Sequence, residues 1–117
     1  MIKAIIIDLD GTTLPRNWHQ ISEENRVALE EAGQQGVVRI LATGRSVFSL
    51  NNTLPEGLPV DYMVFSSGAG IMHWDDKEIL LTRELSAEET RDIATHLWKY
   101  DINFTIQIGR ASCRERV

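Results

Sequence analysis

The chain has little cysteine, no basic cluster and no long apolar run, and each shortage removes a class of protein. Its 117 residues contain one cysteine, Cys113, which excludes a disulfide scaffold. A net charge of −5 argues against a nucleic acid or an anionic membrane as partner. The N-terminal apolar run is too short for a membrane span and, because it ends in acids, unlike a signal peptide. These features predict a small cytoplasmic domain with a modest core.

The most informative stretch is the apolar run from Ile2 to Ile7, which ends in Asp8-Leu-Asp10-Gly-Thr. Its isoleucines predict a β-strand that is buried on both faces. Asp8 and Asp10 are two residues apart in an extended chain, so their side chains point the same way. Two converging carboxylates at the carboxyl end of such a strand predict a Mg²⁺ site that handles phosphate. In the alternative interpretation both acids only cap a turn at Gly11.

A second polar turn follows the next helix and strand. The pattern predicts a helix over 23–34 and a strand over 37–42 that leads directly into Thr43-Gly44-Arg45. Strand, helix and strand in this order predict a parallel crossover, so Thr43 is expected beside Asp8 at the same sheet edge. In the alternative interpretation Thr43 or Ser46 only caps the following helix.

Taken together, the Asp-x-Asp-Gly-Thr and Thr-Gly-Arg motifs resemble the first two signatures of the haloacid dehalogenase-like (HAD) hydrolases, in the Cof-type, sugar-phosphatase-like branch. The resemblance implies an α/β fold with a Rossmann-like parallel sheet and an inserted cap. It also implies that Asp8 is the nucleophile, Asp10 the general acid/base, and both are Mg²⁺ ligands. Thr43 and Gly44 would hold phosphoryl oxygens, and Arg45 would contact the substrate phosphate or the leaving group.

The same resemblance implies that the chain contains part of a core domain followed by the start of a cap domain. A third strand over 62–65 leads into Ser66-Ser67-Gly68-Ala69, where Ser67 occupies the Asn position of the family's Asn-Gly-Ala turn. In the alternative interpretation this is a plain glycine turn into a hairpin. Residues 1–83 are assigned to the N-terminal part of the HAD core, and residues 84–107 to the start of a C2-type cap.

The resemblance stops near Gln107. Residues 108–117 have neither period nor apolar content and can be back-translated to a string that resembles a sequencing adapter, so we interpret them as a non-native tail rather than a genuine basic terminus. The family's later signatures, a lysine and a Gly-Asp-x-x-x-Asp-like acidic pair, are not found in this sequence. We therefore expect a truncated fragment with little or no turnover.

The sequence thus predicts a Mg²⁺-dependent phosphatase for a small phosphorylated metabolite, with sugar phosphates leading by family analogy alone. A phosphomutase and a non-catalytic phosphate-binding remnant stay open as alternatives, whereas a response-regulator receiver fits the motifs poorly. His19, His73 and His96 lack metal-ligand spacing and are assigned to surface or packing roles.

Overall fold

The computed structural model describes residues 1–15, 20–108 and 111–115. The strands are β1 (Ala4–Asp8), β2 (Val38–Ala42), β3 (Tyr62–Phe65), β4 (Gly70–His73), β5 (Ile79–Thr82), β6 (Phe104–Ile108) and β7 (Ala111–Glu115). The helices are α1 (Glu23–Gln34), α2 (Val47–Thr53) and α3 (Ala87–Trp98). None of the helices in these ranges is long and apolar enough to cross a bilayer.

Five strands form one mixed sheet in the order β1-β2-β3-β4-β5. The first three run parallel, and β4 and β5 continue the sheet antiparallel as a hairpin. Asp8 pairs with Ala42, and Ala42 pairs with Val64, so the first three strands end at one edge of the sheet. The α/β fold class expected from the sequence is confirmed, while β6 and β7 pair separately from this sheet.

The expectation that the first strand is buried on both faces is wrong. Ile5 and Ile7 pack against the core, but Ile6 on the opposite face is 70% exposed. Within the described residues β1 pairs with β2 alone, and no element covers the face that carries Ile6. The isoleucine run therefore marks a strand with one packed face, and Asp8 at its end is open to solvent.

Helix α1 has the bounds that its sequence predicts, because Ser22 accepts a hydrogen bond from the Asn25 N–H and acidic residues fill its first turn. Leu29 is its buried residue, whereas Val27 is 39% exposed. The Leu29 carbonyl also accepts a hydrogen bond from the Arg39 guanidinium, which ties the helix to β2.

The core lies against one face of the sheet, where Leu41 pairs with Met63 and Met63 with Met72. Its fully buried side chains are Leu9, Leu41, Leu50, Met63, Met72 and Trp74. Helix α3 contributes no buried residue, although a capping box of Ser86 and Glu89 forms at its start. An apolar groove of about 450 Å³ runs beside it, lined in part by Trp98, Phe104 and Ile106.

Candidate active site

The acidic motif is built by a loop that leaves β1 at Asp8. The Asp8 backbone carbonyl accepts hydrogen bonds from the Thr12 and Thr13 hydroxyls, both at 2.7 Å. Leu9 is completely buried, whereas Asp8 and Asp10 on either side of it are exposed. Successive side chains thus point in opposite directions. Leu9 anchors the loop in the core, and the carboxylates of Asp8 and Asp10 stay at the edge of the sheet.

A tight turn returns the loop to the core. Gly11 has a φ of +77° and donates its N–H to the Leu14 carbonyl at 2.8 Å, while the Leu14 N–H donates to the Leu9 carbonyl at 2.7 Å. Glycine suits this position because other residues rarely adopt the left-handed region. The turn that the alternative interpretation required is present, and it holds the two acids beside the end of β2.

Thr43 joins the second motif to the first. Its N–H donates to the Val64 carbonyl at 2.9 Å, which fixes it against β3. Its buried hydroxyl accepts from the Arg45 N–H at 3.1 Å and lies 3.4 Å from Oδ2 of Asp10, to which it donates. Because Ala42 is the partner of Asp8 in the sheet, the expected meeting of both motifs at one edge is observed.

The Arg45 guanidinium contacts the Asp10 carboxylate. Its Nε is 3.1 and 3.0 Å from the two carboxylate oxygens, and its Nη2 forms an ion pair with Oδ1. Nη1 donates to the Thr53 hydroxyl at the end of α2, at 2.8 Å. The guanidinium thereby offsets the charge of Asp10, whereas Asp8 has no cationic partner among the residues the structure describes. Within the described residues, the Asp8 carboxylate accepts only a weak hydrogen bond, from the Thr12 hydroxyl at 3.5 Å.

Sequence reasoning left the Ser67 side chain without a definite contact. In the structure Ser67 is the second residue after β3 and its hydroxyl borders Gly44, since a Cβ built on Gly44 would lie 3.3 Å from that oxygen. The turn of Ser66–Gly68 therefore forms a third wall of the site. The available signal was its position after a strand of the same parallel set, which brings it to the same edge.

Oxygen atoms of Asp8 and Asp10 are the candidate ligands for a divalent cation at this edge. Across residues 1–15, 20–108 and 111–115, no three His, Cys, Asp or Glu side chains gather into a potential metal cluster. Mg²⁺ retains several waters and often binds through one or two carboxylates plus substrate phosphate. The carboxylate of Asp8 and the backbone carbonyl of Asp10 fit that pattern, while the Asp10 carboxylate is bound to Arg45.

The remaining candidates lie apart from this edge. His73 hydrogen-bonds Asp76 through Nδ1 at 3.0 Å, and His96 packs edge-on against Tyr100. His19 lies outside the described residues. The groove beside α3 carries no acidic side chain in its lining and shares no residue with the two motifs.

Comparison with known proteins assigns the family. The profile described as haloacid dehalogenase-like hydrolase matches residues 5–113, nearly the whole chain and both motifs. The chain belongs to this family. The resemblance drawn from the two HAD motifs is thereby confirmed. The match runs past Gln107, where the resemblance was expected to stop, and the non-native origin of 108–117 stays a prediction.

Individual relatives of this chain agree with the family assignment. A phosphatase of Bacillus subtilis named for 5-amino-6-(5-phospho-D-ribitylamino)uracil, YcsE, is 38% identical over 72% of this chain and 32% of its own. A second one of that name and organism, YwtE, is 33% identical over 90% of this chain and 35% of its own. The fold matches a HAD phosphatase from Bacteroides thetaiotaomicron with a TM-score of 0.80, at 23% identity, over 96% of this chain and 41% of that one. The chain thus spans about a third of the length of these curated relatives.

Proposed function

We propose that this chain carries the nucleophile half of a Mg²⁺-dependent phosphatase site that acts on a small phosphorylated metabolite through an aspartyl-phosphate. The observation that carries the proposal is the meeting of Asp8 and Asp10 with the Thr43–Arg45 turn at one sheet edge. An exposed carboxylate beside neutral donors suits attack on a phosphate ester. Mg²⁺ bound at Asp8 and Asp10 would offset the negative charges of carboxylate and phosphate.

Each protein group has a defined part in the proposed reaction. A carboxylate oxygen of Asp8 attacks phosphorus as the bond to the leaving oxygen breaks, and Asp10 donates a proton to that oxygen. Asp10 then accepts a proton from water, which attacks the aspartyl-phosphate, so that inorganic phosphate leaves and Asp8 is restored. The Thr43 hydroxyl and the Gly44 N–H bind the phosphoryl oxygens, where charge concentrates in the transition state.

Arg45 contacts a different group in the structure from the one that the family resemblance implies. It holds the Asp10 carboxylate in the structure, whereas the family resemblance implies contact with the substrate. We propose that the substrate phosphate displaces Asp10 as the partner of Arg45, because a guanidinium binds phosphate and carboxylate with the same bidentate geometry. The exchange leaves the Asp10 carboxyl group to contact the leaving oxygen.

The proposed substrate class is a phosphate ester of a sugar or sugar alcohol. Support comes from the names of the two Bacillus relatives, whose substrate carries a phosphorylated ribityl chain. We further propose that these 117 residues alone have little or no turnover. Lys77 lies over the Trp74 ring and donates to the Trp74 carbonyl in the β4–β5 hairpin, so it is unsuited to neutralise a phosphoryl group.

The test uses the longer protein obtained by reading the source gene past codon 107. Asp8→Asn is expected to reduce Mg²⁺-dependent phosphate release from an aryl phosphate by about 10³-fold or more, the usual scale for loss of a nucleophile. Asp75→Asn removes an equal charge from the exposed hairpin turn and serves as the matched control, with activity unchanged. Retained activity in Asp8→Asn would refute the nucleophile assignment.

Two alternatives give other results in the same experiment. A phosphomutase would return the phosphoryl group to its sugar, so an isomeric sugar phosphate would accumulate in place of inorganic phosphate. A non-catalytic phosphate-binding remnant would bind phosphate without turnover, and the gene would end without a downstream lysine and acidic pair.

A further inference from the structure

The turn after β3 has an uncommon backbone conformation. Ser66 and Ser67 have φ values of 49° and 54°, and Gly68 follows at 99°, so three successive residues are left-handed. A residue other than glycine is disfavoured there by roughly 1–2 kcal/mol, and two in succession are unusual. Such strain persists where surrounding contacts determine it, and these contacts lead to the candidate site.

Two backbone hydrogen bonds hold the turn against the second motif. The Ser67 N–H donates to the Thr43 carbonyl at 3.0 Å, and the Ser66 N–H donates to the Arg45 carbonyl at 2.8 Å. These carbonyls lie on either side of Gly44. The left-handed conformation lets two successive N–H groups face the same strand end, as successive N–H groups do in anion-binding nests, but here both bind carbonyls.

Peptide geometry then sets the direction of the Gly44 N–H. No cis peptide bond occurs among the described residues, and in a planar trans peptide the carbonyl of one residue and the N–H of the next point in opposite directions. Since the Thr43 carbonyl faces the turn after β3, the Gly44 N–H faces the other neighbour of β2, which is β1. Asp8 ends that strand. Gly44 is an exposed residue, and no described residue accepts a hydrogen bond from its N–H.

We infer that the strained Ser66–Gly68 turn is a positioning element that aims the Gly44 N–H at the phosphoryl group beside Asp8. The inference rests on the proposed function for its ligand. Ser66 and Ser67 act through their backbone N–H groups as positioning residues, and the Ser67 hydroxyl is not required.

The test is a ¹H–¹⁵N NMR titration of the 117-residue chain with inorganic phosphate in the presence of Mg²⁺. In the wild type the Gly44 amide signal is expected to move downfield. Ser67→Val should weaken phosphate binding about ten-fold or more, because a β-branched residue disfavours the left-handed region and a lost charge-assisted hydrogen bond is of that scale. Ser67→Gly keeps the conformation without the hydroxyl and should bind within about two-fold of the wild type.

The matched control is Asp101→Val, which places the same residue at a φ of 52° in the turn between α3 and β6. It should destabilise the chain without changing phosphate affinity, which separates positioning from general loss of stability. Amide hydrogen exchange of the wild-type chain is a second measurement that does not depend on any substitution. The Ser66 and Ser67 amides should be protected, and the Gly44 amide should exchange freely until phosphate is added.

Each failure has its own meaning. Unchanged affinity in Ser67→Val, or a loss in Ser67→Gly as large as that in Ser67→Val, overturns the positioning role. So does a wild type in which other amides of the site respond to phosphate while Gly44 does not. A wild type in which no amide at the site responds to phosphate contradicts the proposed function instead, and protected Ser66 and Ser67 amides would still support the geometry of the turn.

Discussion

Replacement of Asp61 by asparagine should destabilise the fold in a way that depends on pH. Asp61 accepts three hydrogen bonds from Arg39, from Nε at 3.0 Å, Nη2 at 2.9 Å and the backbone N–H at 2.8 Å. Its own N–H donates to the Arg39 carbonyl, and its carbonyl accepts from the Trp74 N–H. The pair therefore joins β2, the approach to β3 and the end of the β4–β5 hairpin.

The expected magnitude follows from partial burial. The side chains of Arg39 and Asp61 are 16% and 34% exposed. Breaking a fully buried pair costs about 3–5 kcal/mol, and an exposed pair is worth about 0–1 kcal/mol. Asp61→Asn keeps the size of the side chain but places an amide against the guanidinium, so we expect a loss of about 2 kcal/mol at pH 7.

The dependence on pH follows from the direction of the pKa shift. The side-chain hydrogen bonds from Arg39 hold the pKa of Asp61 below its ordinary value, although desolvation opposes them. A carboxyl whose pKa is lower in the folded state stabilises the fold above its unfolded pKa of about 3.9, and this stability is lost as the pH falls through the folded pKa. The difference between wild type and Asp61→Asn should therefore shrink from pH 7 toward pH 2–3.

Urea unfolding followed by far-UV circular dichroism measures this difference. A loss of about 2 kcal/mol lowers the midpoint by about 1 M at an m-value near 2 kcal/mol/M. Asp101→Asn removes the same charge from an exposed position that tolerates asparagine at its positive φ, and its midpoint should stay near that of the wild type. A loss below about 0.5 kcal/mol at pH 7, or an undiminished loss at pH 3, would contradict the reasoning.

Two further predictions concern packing. Gly70→Ala should lower the free energy of unfolding by about 2 kcal/mol or more, because its Cβ would overlap the Phe65 ring. Gly57→Ala meets nothing within 4 Å and should be close to neutral in the same urea experiment. Leu41→Ala, at a fully buried position, should lower the free energy of unfolding by about 3 kcal/mol. Leu81→Ala, at a position that is 42% exposed, should lower it by less than about 1 kcal/mol, and equal losses would contradict the core assignment.

The local elements could largely be predicted because their signals lie within a few residues of each other. Ser22 before two glutamates set the start of α1, and the Ser86–Glu89 capping box set the start of α3. The third strand has the predicted bounds, Tyr62–Phe65. Such caps and alternations act over one turn or one strand, so the sequence displays them directly.

Partners distant in the chain could not be predicted in the same way. The isoleucine run gave the wrong burial for β1, because the covering of a strand depends on which elements reach its two faces. The family resemblance implied that Arg45 contacts the substrate or the leaving group, yet nothing local indicates that its guanidinium reaches Asp10, 35 positions away along the chain.

The sequence by itself determined the chemistry that this protein carries: the residue types of its two motifs, their place after two parallel strands, and the HAD family that they indicate. Only the tertiary structure decided how those groups are arranged, with the Arg45 guanidinium bound to Asp10 and the strained Ser66–Gly68 turn against Thr43 and Arg45. The physical reason is the separation along the chain of the residues that interact. Motifs and caps are local, whereas an ion pair or a backbone direction depends on the strands that the sheet brings side by side.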